Sequence, residues 1–490
     1  LDETFLYEYA DTGRFRVAVC YPNSYHTGMS NLGFHNLFHR VSSFPGIRTV
    51  RFFLERNGKL FSPDKHYSHK RDMFKGREPS LQGFDGIFFT VSFELDYINI
   101  LRMLALSFIP LLVEERGGNK PFVLTGGITV SANPEILSVF SDVVFVGDME
   151  ENLEKILGLL LESSFIPSGP LRDHLLLMDG VFMDGLKDSG VKRAVSFSVE
   201  SPAHTVVLTR NTEFADRFLI EITRGCRNSC TFCMARCTGS PIRMIPESSV
   251  LESTGRAQHH VKRVGLVGPV LTDHTQLSSI VRGINDMGMS VSFSSLRADH
   301  FTKEVAELLK CNKQKTLTFA PETGEDGLRR KIGKDLTNVQ LFEAVILALE
   351  YGIKHFRYYF MYGLPWEKDE DIKAIIELVK ETLVLFDRSG CSLHLSINPF
   401  VPKKGTPLDA RQLYPVNYYS RVKQFLEDEL KKMKNVTARF ESLRMLFTQA
   451  LLSTGNRETG LLLYKTFMKN NLQAFTRFGE NMLSGEGGIT

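Results

Sequence analysis

A short apolar strand, Phe218 to Ile222, leads through Arg224-Gly225 into three closely spaced cysteines, Cys226, Cys230 and Cys233, before the chain reaches Pro241. The CxxxCxxC spacing gathers three thiolates from one tight loop. Three thiolates can hold three corners of a cubane iron–sulfur cluster, which leaves the fourth iron without a nearby thiolate, unlike the four-cysteine electron carriers. An open coordination position is what separates a catalytic metal site from a structural one. Such a loop must also leave a strand at the end where ligands gather, so it constrains the fold as well as the chemistry.

A zinc knuckle is the plainer alternative. Zinc sites of that kind usually come as two CxxC-like pairs, and no second pair exists here. Cys237, four residues further on, is the one thiol near enough to complete a four-thiolate site. Cys20, Cys311 and Cys391 lie far apart and read as small buried residues. With the fourth iron open, the expected occupant is S-adenosylmethionine, chelated through its amino and carboxylate groups. An electron from the cluster would cleave it to methionine and a 5′-deoxyadenosyl radical, chemistry that belongs to the cofactor.

A chain of 490 residues, 43% hydrophobic and 23% charged, predicts two or three ordinary globular domains and not a disordered protein. The longest apolar stretch, Ile98 to Val113, is broken by Asn99, Arg102 and Pro110 and is too short to span a bilayer. The chain opens at Leu1 with no signal-peptide pattern and no methionine, as a trimmed chain would. Seven cysteines without a disulfide-like framework point to the reducing cytoplasm. A net charge of +3 says almost nothing about partners. Basic runs occur at His69-Lys70-Arg71 and Lys431-Lys432-Lys434, but Glu427, Asp428 and Glu429 precede the second, which reads as a solvated helix face; nucleic acid is not indicated.

Residues 15–150 alternate strands and helices. Phe15 to Cys20, Thr49 to Leu54, Gly86 to Ser92, Pro121 to Thr125 and Asp142 to Val146 read as strands rich in Val, Ile and Phe. That rhythm predicts an α/β domain with a parallel sheet covered on both faces, whose ligands bind beyond the carboxyl ends of the strands. Gly28 with Ser30 and Asn31, Gly126 with Gly127, and Gly147 each follow a strand, where glycine lets backbone approach a ligand or adopt positive φ. Ordinary strand-to-helix turns would also use them. A Pro- and Gly-rich stretch follows without clear period, read as a linker with short strands of its own. A second series begins with the cysteine strand: Phe218–Thr223, Val264–Val270, Val291–Leu296, Lys315–Ala320, His355–Tyr362 and Ser392–Asn398. Six parallel strands suffice for an open, partial (β/α)6 barrel with its active site at the carboxyl ends. From Tyr419 the pattern is helical, and the tail from Ser484 reads as frayed. The expected organisation is thus 1–161 for the first domain, 162–205 for the linker, 206–418 for the barrel and 419–490 for a helical C-terminal region.

Arg224-Gly-Cys-Arg-Asn-Ser-Cys-Thr-Phe-Cys233, with Phe232 just before the third cysteine, resembles the cluster loop of the radical S-adenosylmethionine superfamily. The layout is similar to the subgroup with an N-terminal Rossmann-like, cobalamin-binding-type domain. An uncharacterised branch of it shares the phrases GMSNLG (Gly28–Gly33), SLRAD (Ser295–Asp299), FAPETG (Phe319–Gly324), YGLP (Tyr362–Pro365) and NPFVPK (Asn398–Lys403). The resemblance implies a [4Fe-4S] cluster on Cys226, Cys230 and Cys233, with S-adenosylmethionine on its open iron. It implies that Gly268-Pro269 receive the methionine amino group through backbone alone, since they depart from the usual Gly-Gly-Glu. It implies cofactor contacts at Glu322 and Thr323, and an adenine-facing segment at Gly363-Leu364-Pro365. Arg297 is placed to hold the cofactor carboxylate, because a guanidinium suits it bidentately; the alternative for Arg297 and Glu322 is an ion pair within the barrel.

For the first domain the resemblance implies cobalamin, held around Tyr25, His26, Gly28, Ser30, Ser92, Gly126, Gly127 and Gly147. The DxHxxG loop of the best-known cobalamin domains is missing: Asn23-Ser-Tyr-His-Thr-Gly28 has Tyr25 at the histidine position and His26 beside it. A phenol is a poor cobalt ligand, so cobalamin without a histidine below the cobalt is expected. The implied activity is cobalamin-dependent C-methylation of an unactivated carbon, served by a flavodoxin or ferredoxin as reductant. Radical chemistry without methyl transfer (carbon–carbon coupling, rearrangement or sulfur insertion) is the alternative within the class. An iron–sulfur electron-transfer or binding module is the alternative outside it. Neither the substrate nor a catalytic acid or base is readable.

Overall fold

The computed structural model describes residues 2–64, 79–119, 121–185, 190–386, 390–409 and 412–484, so the basic run His69-Lys70-Arg71 and the tail after Ser484 lie outside the described residues. Two compact units emerge, one of Leu1–Leu219 with Leu451–Phe475, the other of Ile220–Ala450 with Thr476–Thr490. Both are α/β, as the strand–helix rhythm predicts.

The first unit is built on a seven-stranded sheet of β1 (Phe15–Tyr21), β2 (Ile47–Leu54), β3 (Leu60–Phe61), β4 (Gly86–Thr90), β5 (Phe122–Gly126), β6 (Val143–Phe145) and β7 (Val181–Phe182). Their order is β3-β2-β1-β4-β5-β6-β7. The five central strands pair in parallel, and β3 and β7 add antiparallel edges. Every residue of β4 is buried, as expected of a strand with helices on both faces. Val17 and Val19 of β1 share a core with Phe34, Leu37, Phe38 and Val41 from helix Leu32–Ser42 and with Ile156, Leu157 and Leu160 from helix Leu153–Glu162. Each such side chain contributes roughly 1.5–3 kcal/mol on burial. Chain order reverses at β1, which places a topological switch point beyond the carboxyl ends of β1 and β4, where open α/β sheets take their ligands.

The stretch 162–205, expected as a linker, is built into this unit instead. Helix Gly169–Leu176 and strand β7 place Leu171, Leu175, Val181 and Met183 in the same core, and Ala194 bridges to Gly147. Its elements are too short to leave a hydrophobic period in the sequence. Part of the expected C-terminal region also belongs here. Asn133 Nδ2 donates to the carbonyls of Ser453 and Gly455 at 3.0 and 2.8 Å, and Arg457 forms a two-point ion pair with Asp184 at 2.6 and 2.8 Å. A short ribbon of Glu3–Phe5 and Val207–Thr209 completes the unit.

In the second unit seven strands follow in chain order: β8 (Arg217–Glu221), β9 (Arg263–Val267), β10 (Ser290–Phe293), β11 (Thr316–Glu322), β12 (His355–Tyr362), β13 (Ser392–Pro399) and β14 (Val436–Phe440). They group as β8-β9-β10 and β11-β12-β13-β14, and Leu296 N–H to the Thr318 carbonyl, 3.0 Å, continues the bonding from one group to the next. The pairs from β11 to β14 are all parallel. The barrel is therefore partial, but with seven strands where the sequence predicts six. Strand β14 lies in the stretch expected to be helical. It has no buried residue, because an edge strand is held by backbone pairing on one side and needs no apolar run.

Candidate functional site

The cysteine loop leaves β8 and is closed at its base by a two-residue ribbon, Thr223–Arg224 against Arg243–Met244. Gly225 has φ +77°, and a side chain there would meet the carbonyl oxygen of Gly239 at 2.1 Å, so only glycine admits this closure. The loop is then fastened to the segment beyond β11. Thr231 N–H donates to the Ile332 carbonyl at 2.9 Å, and Ser229 Oγ donates to the Gly333 carbonyl at 2.9 Å. Gly333, at φ +69°, lies so close that a Cβ would stand 2.3 Å from Ser229 O.

The thiols of Cys226, Cys230 and Cys233 lie within electrostatic reach of one another. Burial pushes Cys230 above its ordinary range, and the cations of Lys334 and Arg297 pull it back. Burial also raises Cys233, against hydrogen bonds from the backbone of Ala235 and Arg236. Cys237 is also raised by burial, and Arg236 and Asp409 are among its charged neighbours. Among the described residues no group of three His, Cys, Asp or Glu side chains is gathered around a single-ion position. Thiolates on a cubane each bind a different iron, so they need a wider spacing than ligands of one ion. Three neighbouring thiols facing two cations fit an anionic cluster.

Loops after the next strands converge on this one. Arg227 Nε meets the buried Asp273 carboxylate, beyond β9, at 2.8 Å, and His300, beyond β10, meets the same carboxylate at 2.9 Å. Arg297 forms a two-point bond to Asp299 at 2.9 and 2.5 Å, and Glu322 accepts from Lys334 Nζ at 2.8 Å. The two charges therefore pair with other partners and not with each other. Glu322 ends β11 at φ +68° beside a register shift, a backbone state that costs a non-glycine residue about 1–3 kcal/mol. Thr323 is buried, with Oγ1 donating to the Glu325 carbonyl at 3.0 Å.

Arg329, fully buried, holds this turn together. It donates to the carbonyls of Pro321, Thr323 and Leu336 and to the side chains of Asp326 and Asn338, all within 2.7–2.9 Å. Neither Arg329 nor Lys334 was legible beforehand, since nothing in the sequence separates Arg329 from Arg330 or marks Lys334 as the partner of Glu322.

The remaining expected contacts sit elsewhere in the barrel. Gly268 abuts Thr223, whose Oγ1 would lie 2.0 Å from a Cβ, so glycine is required there by packing alone. Pro269 follows it. Gly363 has φ +78°, and a Cβ would stand 2.3 Å from the ring of Tyr419. The turn Gly363-Leu364-Pro365 is bonded to Glu367: Gly363 N–H donates at 2.6 Å and Leu364 N–H at 3.5 Å.

At the switch point of the first sheet, the turns after β1 and β4 are laced together. Asn31 Nδ2 donates to Ser92 Oγ at 2.9 Å, Asn23 Nδ2 to Asp96 at 2.9 Å, and Asn99 Nδ2 to the Pro22 carbonyl at 2.9 Å. Phe93 and Ile128, just beyond β4 and β5, are exposed. Tyr25 is buried, with its hydroxyl donating to Glu3 at 2.5 Å and its ring packed on Phe53 and Phe61. It is a core residue, and of the pair only His26 reaches solvent, 3.6 Å from Glu213. Ser30 Oγ donates to the His26 carbonyl at 2.7 Å. The glycines have internal reasons: a Cβ would meet Phe53 at 2.5 Å from Gly28, the Val91 carbonyl at 2.1 Å from Gly127 and the Ala194 carbonyl at 2.1 Å from Gly147. Gly126 alone has room, its nearest neighbour being 3.7 Å away.

Two family models match the chain, one described as "Radical SAM proteins, N-terminal" over residues 33–176 and one as "Radical SAM superfamily" over residues 220–379. An uncharacterized protein of Methanocaldococcus jannaschii is 27% identical over 460 residues, 93% of this chain and 91% of that one. Among solved structures, the radical S-adenosylmethionine methyltransferase TsrM from Kitasatospora setae, with tryptophan substrate and a cofactor analog bound, has a TM-score of 0.54 at 14% identity, covering 82% of this chain and 78% of that one. OxsB, a cobalamin-dependent S-adenosylmethionine radical enzyme with aqua-cobalamin and S-adenosylmethionine bound, has a TM-score of 0.51 at 13% identity, covering 93% and 62%. At such identities these two likenesses concern the fold. Among the described residues no helix is long and apolar enough to cross a membrane.

Proposed function

The chain belongs to the radical S-adenosylmethionine superfamily and is an enzyme of it, and from that premise we propose that it methylates an unactivated carbon with cobalamin at the carboxyl edge of its first sheet. In such enzymes a [4Fe-4S] cluster supplies the electron that cleaves S-adenosylmethionine, and cobalamin carries the methyl group. In this chain Cys226, Cys230 and Cys233 would hold the cluster. Arg297 and Lys334 would offset its negative charge, and Glu322, Thr323, Gly268, Pro269 and the Gly363–Pro365 turn would bind the cofactor around it.

One observation carries the cobalamin reading: the five parallel strands of the first sheet run second-first-third-fourth-fifth, with the reversal between β1 and β4. That order puts a ligand edge beside His26, Ser30 and Ser92, and the exposed Phe93 and Ile128 supply apolar surface suited to a large planar ring. The likeness to TsrM and OxsB supports the same reading. The glycines do not, because Gly28, Gly127 and Gly147 already close on the chain's own atoms.

Anaerobic reconstitution with iron, sulfide, a reductant and S-adenosylmethionine, with and without hydroxocobalamin, tests the proposal. Formation of 5′-deoxyadenosine together with S-adenosylhomocysteine, the second only with cobalamin, is expected. 5′-Deoxyadenosine alone would favour radical chemistry without methyl transfer. Neither product would leave a cluster-bearing module without chemistry of its own. The reductant, a flavodoxin or ferredoxin, remains part of the proposal, and a low-potential chemical reductant serves in its place.

A further inference from the structure

The first unit holds a cavity of about 550 Å³ beside Arg48, Thr49 and Val50, in the amino-terminal half of β2 and not at the carboxyl ends of the parallel strands. That size is ordinary for a small-molecule pocket. Phe5, Tyr7, Tyr9, Phe38 and Phe61 give it aromatic walls. Tyr9 packs edge-on against Phe38 with ring centroids 5.2 Å apart. Both phenols are engaged behind the wall: Tyr7 Oη lies 2.6 Å from His204 Nε2, and Tyr9 Oη lies 2.9 Å from His39 Nδ1.

The charges around the cavity do not balance. Glu3 and Asp64 line it with side chains 11% and 18% exposed, and both are bonded to one fully buried guanidinium, that of Arg51. Nη1 and Nη2 each donate to Glu3 at 2.9 Å, Nε donates to Asp64 at 3.1 Å, Nη2 also bonds Asp64, and Nη1 approaches Met29 Sδ at 3.9 Å. Every N–H of the guanidinium is thereby used, whereas a carboxylate accepts about four hydrogen bonds and Glu3 Oε2 has accepted one. Burial raises the Glu3 carboxyl, but bonds from Arg51 and Tyr25 outweigh it and hold the group below its ordinary range. At the rim Asp11 pairs with Arg48 at 3.3 Å. Among the described residues one negative charge is therefore in excess here, and a charge so far from water needs a partner. Ser62 Oγ, in the same lining, is buried without a hydrogen-bond partner among the described residues.

We propose that this cavity is a binding site for an organic ammonium ion, with the cationic head on the Glu3 and Asp64 carboxylates and Ser62 Oγ and the apolar body against the rings of Tyr7, Tyr9 and Phe61. The head gains charge-assisted hydrogen bonds from acceptors that Arg51 leaves unfilled. Aromatic faces add attraction for a cation that a neutral ligand of the same shape does not feel. An anion is refused, because the one guanidinium within reach has no donor left for it. The site depends neither on the cluster nor on the carboxyl edge of the first sheet.

The probes are N-dansylcadaverine, a primary ammonium on an aromatic body, and N-pentyldansylamide, the same molecule without the amine. Equilibrium dialysis against the full chain with its cluster reconstituted gives both dissociation constants, read from the dansyl fluorescence of unbound probe. The cation should bind about tenfold or more tightly than the neutral probe. In Glu3→Gln, which removes the excess charge, that preference should disappear. Ala10→Trp changes an exposed residue of the lining and keeps every charge. By filling the cavity it should weaken both probes while the thermal midpoint stays at the wild-type value. It decides alone if Glu3→Gln, which deprives the buried Arg51 of a partner, does not fold. Equal binding of the two probes by the wild type, or no binding of either, would overturn the proposal. So would a cation preference that survives Glu3→Gln, or binding that Ala10→Trp leaves intact, since each would place the cation elsewhere on the chain.

Discussion

Lys334 donates to Glu322 across 2.8 Å, and both charges act on the Cys230 thiol, the cation lowering it and the carboxylate raising it. The pair thus links the strained end of β11 to the cysteine loop through the same Ile332–Lys334 segment on which that loop is fastened. A carboxylate kept at φ +68° and nine-tenths buried is expensive to retain for structure alone. Its free acceptor capacity is what a cofactor bearing hydroxyl and ammonium groups would use.

Glu322→Gln is therefore expected to weaken S-adenosylmethionine binding while leaving the cluster spectrum intact. Losing a charge-assisted hydrogen bond costs on the order of 1.5–3 kcal/mol, about a tenfold or larger loss of affinity. Titration of the reconstituted protein measures it directly. Unchanged affinity together with a lowered melting temperature would assign Glu322 to the ion pair with Lys334 and to nothing else.

Cys237→Ala should retain wild-type iron content and cofactor cleavage. Its thiol sits on helix Met234–Gly239 with Arg236 and Asp409 among its charged neighbours, whereas Cys226, Cys230 and Cys233 act on one another. A fourth thiolate would also close the iron that the cofactor needs. Iron and sulfide assays on the variant decide the point, and loss of the cluster would return the chain to the class of electron carriers.

Asp96, beneath the switch point of the first sheet, carries a pH signature in stability. Burial raises its carboxyl to about 6 from an ordinary 3.8, against hydrogen bonds from Asn23 and Asn99 and with Glu94 adding to the rise. Between those values the folded chain binds more protons than the unfolded one, so this group's contribution falls as pH rises from about 4 to about 6 and stays low above. Asp96→Asn keeps an amide oxygen for the two Asn donors. It should stabilise the protein above pH 6, on the order of 2 kcal/mol, and converge with wild type below pH 4. Equal thermal midpoints at pH 8 would show that ionised Asp96 costs the fold nothing.

The sequence carried the five parallel strands of the first sheet and six of the seven barrel strands, because Gly86–Thr90 is an unbroken apolar run and His355–Tyr362 alternates buried with less buried residues, but not the two-residue edge β3. It missed β14, whose residues are never buried, and it took 162–205 for a linker because a two-residue strand and an eight-residue helix leave no period. The cysteine loop was legible from spacing alone. Its supports were not: Lys334, Arg329 and Glu367 act across 12, 8 and 51 residues of chain, to Glu322, Pro321 and Tyr418, and only folding brings such pairs together. The strand-end glycines show the reverse error, since a turn that must close on its own neighbour demands glycine as strictly as one that must admit a ligand.

The cobalamin reading predicts a cofactor without a histidine below the cobalt. Tyr25 cannot serve, because it is buried with its hydroxyl on Glu3. His26 is the one ring of the turn that reaches solvent, and it faces Glu213 at 3.6 Å. Its helix is a single turn capped by Ser24, and Ser30 Oγ donates to the His26 carbonyl, so the backbone that carries the ring is held in place. Reconstitution with hydroxocobalamin followed by reduction to cobalt(II) should give a paramagnetic resonance spectrum without the triplet splitting that an axial nitrogen imposes. Triplets that vanish in His26→Ala would show that the neighbouring histidine has taken the ligand role. Triplets that persist in the variant would mean that the cofactor's own base stays on the metal. Failure to retain any cobalamin, with S-adenosylmethionine cleavage intact, would remove methyl transfer by this route and leave the switch point of the first sheet as a site for substrate.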